Sequence, residues 1–218
     1  VDLTQIQKEE VACTSCPRLI SYIRKVAEVK TTRFRDWDYW GKPVPSWGDP
    51  RARLVIIGLA PAAHGGNRTG RVFTGDRSGE WLFRALYEVG LASKPESESR
   101  NDGLEVKDVF ITSVIHCAPP ENKPARDEIL NCSRFLRAEF LSLSEAKVYL
   151  GLGVLAFNEL CRLMGLSLEF RHGAFYSVKG KWVAASYHPS ARNTLTGKLT
   201  WEMWMGVFRK IREILGST

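Results

Sequence analysis

Four short runs of apolar, largely β-branched residues punctuate the chain: Leu54 to Gly58, Val109 to Ile115, Lys147 to Leu152 and Trp182 to Tyr187. Each is too short for a helix and lacks polar alternation, the pattern of a strand covered on both faces in a parallel sheet. Between them the apolar positions recur every three or four residues. Leu19, Ile20, Ile23, Val26 and Ala27 form one such face, Trp81, Leu82, Ala85, Leu86 and Val89 a second, and Trp201, Trp204, Met205, Phe208 and Ile211 a third. A further helical segment runs from Leu155 to Leu163. Strands alternating with helices predict βαβ crossovers, and hence an α/β fold: a three-layer α/β/α sandwich around a mainly parallel four-stranded central sheet. Pro17 and Pro124 fit first-turn positions, where a missing N–H costs nothing. The aromatic stripes are read as core.

Two stretches resist this pattern. Ala92 to Lys107 is polar and reads as a solvated surface loop, whereas Thr31 to Trp47, rich in Arg, Trp and Tyr, either packs over the sheet or touches a ligand. Neither looks like a linker, and there is no internal repeat. At 218 residues the chain suits one domain spanning 1–218. No apolar run approaches the roughly 18 residues of a membrane span. The polar segment Val1 to Glu10 lacks the apolar core of a secretory signal, so a reducing cytoplasm is expected, where five cysteines need a purpose other than disulfides.

Charge and cysteine spacing add chemistry. A net charge of +7 favours a polyanionic partner such as nucleic acid. Cys13 and Cys16 form a Cys-x-x-Cys at the mouth of a helix, Cys117 follows a strand and Cys132 lies in a helix after a Pro-containing turn. Four thiolates without a histidine suit tetrahedral zinc or a 4Fe-4S cluster equally well, and neither leaves an open position for catalysis. The remaining Cys161 reads as a small buried hydrophobe.

After the first strand comes a long loop of small residues, Gly58 to Arg71, at the strand end where open α/β sheets bind ligands. It lacks the Gly-Lys-Ser/Thr ending of a nucleotide-cradling loop, which argues against a nucleotide hydrolase. Asp76, just before a helix, is either a helix cap or a carboxylate facing the cleft. His188 leaves the last strand on the same edge of the sheet, followed by Pro189 and a basic turn.

Taken together, Cys13-x-x-Cys16, Gly58-Leu59-Ala60-Pro61-Ala62, Arg71-Val72-Phe73-Thr74-Gly75-Asp76, the Cys117/Cys132 pair and His188-Pro189-Ser190-Ala191-Arg192-Asn193 resemble, in this order, the family 5, B-type, uracil-DNA glycosylases of thermophilic bacteria and archaea. The likeness covers nearly the whole chain. It implies a structural 4Fe-4S cluster on Cys13, Cys16, Cys117 and Cys132 and action on damaged double-stranded DNA, with single-stranded DNA left open; a monomer is the default for an enzyme wrapping one lesion. The implied reaction is hydrolysis of the bond between sugar and a uracil or another deaminated base such as hypoxanthine, after base flipping; no lysine stands out as a Schiff-base nucleophile, so a monofunctional enzyme without strand cleavage is expected.

The resemblance also distributes roles. Phe73 stacks on the everted base, backbone near Ala60 and Ala62 lines its pocket, and His188 donates a hydrogen bond to a base oxygen as charge develops there. Related family 4 enzymes resemble Gly-Glu-Ala-Pro-Gly where this chain has Leu59, which leaves Asp76 as the carboxylate that orients water. They also resemble an asparagine where Ser113 stands, so a looser choice of base is expected. Asn122 is either a further pocket group or a surface turn. Ser190, Ala191, Arg192 and Asn193 look like the loop that enters the minor groove and fills the vacated stack, and Arg68, Arg71, Arg77 and Arg192 are candidates for DNA phosphates. A non-catalytic nucleic-acid-binding protein with a structural metal site is the alternative reading of the charge and the cysteines.

Overall fold

The structure, a computed structural model, describes residues 2–216. The four apolar runs become β2 (Leu54–Gly58), β3 (Val109–Ser113), β4 (Val148–Leu152) and β6 (Lys181–Ser186), paired in parallel in the order β3-β2-β4-β6. The sheet nevertheless has six strands rather than the expected four. Short antiparallel edges, β1 (Trp47–Gly48) beside β3 and β5 (Phe175–Val178) beside β6, extend it. Both are only partly buried and escape the doubly covered pattern.

Strand alternation builds the layers. Val55, Ile57 and Phe110 face one core with α2 (Pro17–Val29), α5 (Arg126–Ser142) and α6 (Val154–Met164). Leu54, Ile56, Val109 and Ile111 face the other, with α4 (Arg77–Glu88) and α8 (Trp201–Leu215), where Trp204 and Phe208 are fully buried. The sequence pattern misses α1 (Leu3–Ala12), which packs on the first core through Leu3 and Ile6, and the short α3 (Gly66–Thr69) and α7 (Ala191–Leu195). Pro17 opens α2, but Pro124 lies before Ala125, the N-cap of α5, and so stands outside the helix. Cys161 is buried in α6 as expected.

The two unassigned stretches prove to be fastenings. The 31–47 segment wraps the 59–71 loop: Trp40 and Gly41 donate backbone N–H bonds to the Arg68 and Asn67 carbonyls, and Val44 donates to His116. The 92–107 loop is not simply solvated. Ser97 and Leu104 are buried, and Asp102 pairs with the buried Arg71 at 3.0 Å. Among the described residues no helix is long and apolar enough to cross a membrane.

Candidate active site

The C-terminal ends of β2, β3 and β6 open onto one recess of about 370 Å³, within the size range of small-ligand pockets. Ala60, Pro61 and Ala62 contribute from the loop after β2, Phe73 and Asp76 from the approach to α4, and Ser113 from the end of β3. Asn122 lies on one rim, and His188, Ser190 and Ala191 follow β6. Every pocket residue read from the sequence therefore reaches the same space.

Glycines set the floor. A Cβ on Gly58 would sit 2.7 Å from Phe73 Cζ, so only glycine lets that ring lie over the end of β2. At Gly79 a Cβ would strike the Phe73 carbonyl oxygen, and its absence brings the first turn of α4 against the Phe73 backbone. Phe73 itself is held at φ +51°, a left-handed conformation disfavoured for a bulky residue by roughly 1–2 kcal/mol. Its ring is tilted 28° from that of His188, with centroids 6.0 Å apart.

Asp76 answers both sequence readings at once. One carboxylate oxygen, Oδ1, accepts the Gly79 N–H at 2.8 Å and caps α4, while the side chain lines the recess. Gly65 gives it room, since a Cβ there would approach Oδ2 to 2.5 Å. Burial raises the carboxyl above its usual value, although the Gly79 N–H and, more weakly, Arg68 oppose the shift. Burial also lowers His188 to about 4, so the imidazole is neutral at neutral pH. Asn193 fixes the turn by donating from Nδ2 to the His188 carbonyl at 2.9 Å.

The basic residues divide into two groups. Arg68 and Arg71, expected at DNA phosphates, are 3% and 4% exposed and face inward. Arg68 donates to the His64 and Gly75 carbonyls at 2.6 and 2.7 Å and lies 3.7 Å from the Phe34 ring centroid and 4.2 Å from that of Trp37. Arg71 is consumed by Asp102, Ser97 and Thr74. Both are internal braces of the loop, and the phosphate expectation for them is corrected. Arg192 is exposed. Arg77 is half-buried and donates to Thr194 at 2.7 Å, joining α4 to α7 beside the recess.

The segment expected to be a loop at 190–193 is the start of α7. Ser190 caps it, accepting the Asn193 N–H at 3.2 Å. The outward apolar side chain of this helix is Leu195, 71% exposed, which no motif flags because an exposed leucine looks like any other in sequence. His64 also escapes prediction. Its Nδ1 lies 2.8 Å from the Tyr39 hydroxyl in a second cleft that Asp76, Arg77 and Asn122 share.

On the far side of the first core, Cys13, Cys16, Cys117 and Cys132 line one small recess with His116 and Phe135. All are free thiols. N–H groups point at sulfur: Asn131 Nδ2 is 3.5 Å from Cys16 Sγ and Arg134 Nη2 3.4 Å from Cys13 Sγ. Burial and the neighbouring cysteines push Cys117 far up, and burial takes Cys132 to about 12 despite a backbone hydrogen bond from His116. Four thiols lining one recess, three of them buried and Cys13 partly so, beside sulfur-directed donors are a donor set for a thiophilic metal centre, since a bound metal deprotonates each of them.

Comparison with known proteins agrees with this geometry. Residues 45–210 match the Uracil DNA glycosylase superfamily. A type-5 uracil-DNA glycosylase of Pyrobaculum aerophilum is 49% identical over 92% of this chain and 88% of its own length. One from Thermus thermophilus is 46% identical over 94% of both chains, and one from Mycobacterium leprae 42% identical over 98% of this chain and 96% of its own. With the recess at the strand ends and matches that run nearly the length of the chain, this protein belongs to the uracil-DNA glycosylase superfamily, among its type-5 members.

Proposed function

We propose that this single-domain chain is a monofunctional DNA glycosylase that removes uracil, and other deaminated bases such as hypoxanthine, from double-stranded DNA. The observation that carries the reading is that Asp76 and His188, from distant parts of the chain, line one recess large enough for an everted base. Extruding the nucleotide lets the pocket reach a bond that the duplex hides. Phe73 stacks on the base, the small side chains of Ala60 and Ala62 admit it close to backbone, and Ser113 and Asn122 meet its polar edge.

Asp76 orients water toward the anomeric carbon. The bond between that carbon and the base nitrogen breaks with its electron pair going to the base, and water oxygen bonds to the carbon while its proton passes to Asp76 and from there to the departing base anion, leaving an abasic site and the free base. The Asp76 carboxylate stabilises the cationic sugar on the way. Neutral His188 donates a hydrogen bond to a base oxygen, an interaction that strengthens as negative charge gathers there. Ser113, a short hydroxyl, cannot make the paired contacts of an amide, which supports acceptance of more than one base.

Ser190, Ala191, Arg192 and Asn193 at the start of α7 meet the DNA beside the lesion, with Arg77 and Arg192 near phosphate and Leu195 the side chain placed to occupy the vacated stack. Cys13, Cys16, Cys117 and Cys132 hold a 4Fe-4S cluster that fastens α1 and α2 to the end of β3 and to α5. When bound it supplies structure, since all its protein positions are taken. Five free thiols are in keeping with a reducing, cytoplasmic setting, and a monomer suffices because one chain supplies every residue of the recess.

The test is an alkali-revealed nick assay on duplexes carrying uracil, hypoxanthine or xanthine. The expected result is alkali-dependent cleavage at uracil and hypoxanthine without breakage before alkali. Binding with no base release would contradict the proposal, and a brown protein containing iron and sulfide distinguishes the cluster from zinc.

A further inference from the structure

Behind the cysteine recess lies a second group that the glycosylase reading leaves unused. Glu10 on α1, His116 after β3 and Glu139 on α5 present ligand atoms that all lie within 4.8 Å of one another, and each residue is at most 1% exposed. Glu10 accepts the Ser46 N–H at 2.8 Å. His116 Nε2 and both carboxylate oxygens of Glu139 have no hydrogen-bond partner. Polar atoms buried without partners cost about 1–3 kcal/mol each, more when charged, and two carboxyls facing each other beside an imidazole lone pair are a cluster that a cation placed among them stabilises.

The His116 ring says what. Its Nδ1 lies 2.8 Å from the Val44 carbonyl, which can only accept, so Nδ1 carries the proton and Nε2 offers a lone pair toward the two glutamates. A backbone carbonyl fixing the tautomer is the usual support of a metal-bound histidine. The separations also suit one ion. His116 Nε2 is 3.7 Å from Glu10 Oε1 and 3.8 Å from Glu139 Oε1, too long for hydrogen bonds. Half of either distance is less than a zinc–oxygen or zinc–nitrogen bond of about 2.0–2.2 Å. The two carboxylates need draw in only slightly.

We propose that Glu10, His116 and Glu139 bind a divalent cation of the zinc type, making a second metal staple separate from the four cysteines. Two carboxylates and a neutral imidazole balance its charge. This donor set of two oxygens and a nitrogen is harder than the sulfur set and selects a different ion chemistry. Both sites join the same three parts of the chain: Glu10 lies three residues before Cys13, His116 directly precedes Cys117, and Glu139 follows Cys132 by two helical turns. The buried Thr112 hydroxyl lies beside Glu139 and completes the polar lining. With no exposed ligand, the ion enters as the chain folds.

The experiment is metal analysis and zinc X-ray absorption on the full-length holoprotein produced in zinc-supplemented medium. The expected result is about one zinc per chain with a shell of oxygen and nitrogen at about 2.0–2.2 Å, distinct from sulfur at about 2.3 Å. Glu139→Gln should lower that zinc at least about tenfold while the iron and sulfide content stays the same. Wild-type protein with no zinc, or with zinc only in a sulfur shell, would overturn the proposal even if Glu139→Gln fails to fold. Because the readout is metal content and coordination, failure here is distinguishable from failure of the glycosylase reading, which the nick assay decides.

Discussion

The ring of Phe73 stacks beside that of His188 in the lining of the recess, with centroids 6.0 Å apart and planes only 28° from parallel, so the two rings are fixed relative to each other. On the proposed reading, a base stacked on Phe73 lies within reach of His188. Phe73→Ala should weaken binding of a uracil-containing duplex by about 1–3 kcal/mol, the worth of one base–aromatic stack, or roughly 5–150-fold. Titration of a fluorescent duplex checks this, with an undamaged duplex as control, whose affinity should change little. Equal losses on both duplexes would remove Phe73 from base recognition.

Burial that holds His188 near 4 has two readable consequences. Excision should show no His188 titration between pH 8 and 6, because the neutral form acts. Stability behaves by linkage: a folded pKa below the ordinary value of about 6.5 contributes stability above that value and loses it as pH falls toward 4. His188→Gln should therefore flatten the fall in melting temperature across that window and slow excision by about 100-fold. An imidazole titrating near 6.5 by NMR would contradict this.

Asp76 predicts the opposite sign. Its raised carboxyl means that the charged form is tolerated at a cost in the fold. The associated stability is complete below the ordinary pKa of about 4 and is lost as pH rises through the higher folded value. Asp76→Asn keeps an oxygen to accept the Gly79 N–H and deletes the charge, so its melting temperature should exceed that of the wild type at pH 7 and converge with it in acid. Asp76→Ala also loses the cap and should be less stable than Asp76→Asn by about 1 kcal/mol. Thermal melts at several pH values measure both.

The inward and outward arginines should separate cleanly. Arg71→Ala leaves Asp102 buried without its partner; burial works to raise that carboxyl, but the Glu98 and Leu104 N–H groups and Arg71 hold it down to about 2. A loss of about 3–5 kcal/mol in stability is expected, with the salt dependence of DNA binding unchanged. Arg192→Ala should do the reverse, leaving the melt unaltered and lowering the slope of log affinity against log salt by about one unit. Denaturant melts and binding across a salt series score the pair.

What the sequence discloses follows from how each signal is encoded. Strands covered on both faces are continuous apolar runs, so β2, β3, β4 and β6 are legible, whereas β1 has two residues and β5 is only partly buried. The pocket residues are legible because small and aromatic side chains cluster at strand ends in local motifs. Arg68 is not, since the aromatic rings that cover it, Phe34 and Trp37, come from a segment with no periodicity. Glu10, His116 and Glu139 are invisible for the same reason. Each comes from a different element, and only the folded sheet brings them together.

The central claim is that Asp76 and His188 act on one everted nucleoside. It is tested most directly by single-turnover excision of uracil from a duplex by the wild type, Asp76→Asn and His188→Gln, each shown to be folded and saturating the DNA. The account predicts that both variants bind yet release base at least about 100-fold more slowly. A folded variant of either kind that excises at the wild-type rate would contradict it.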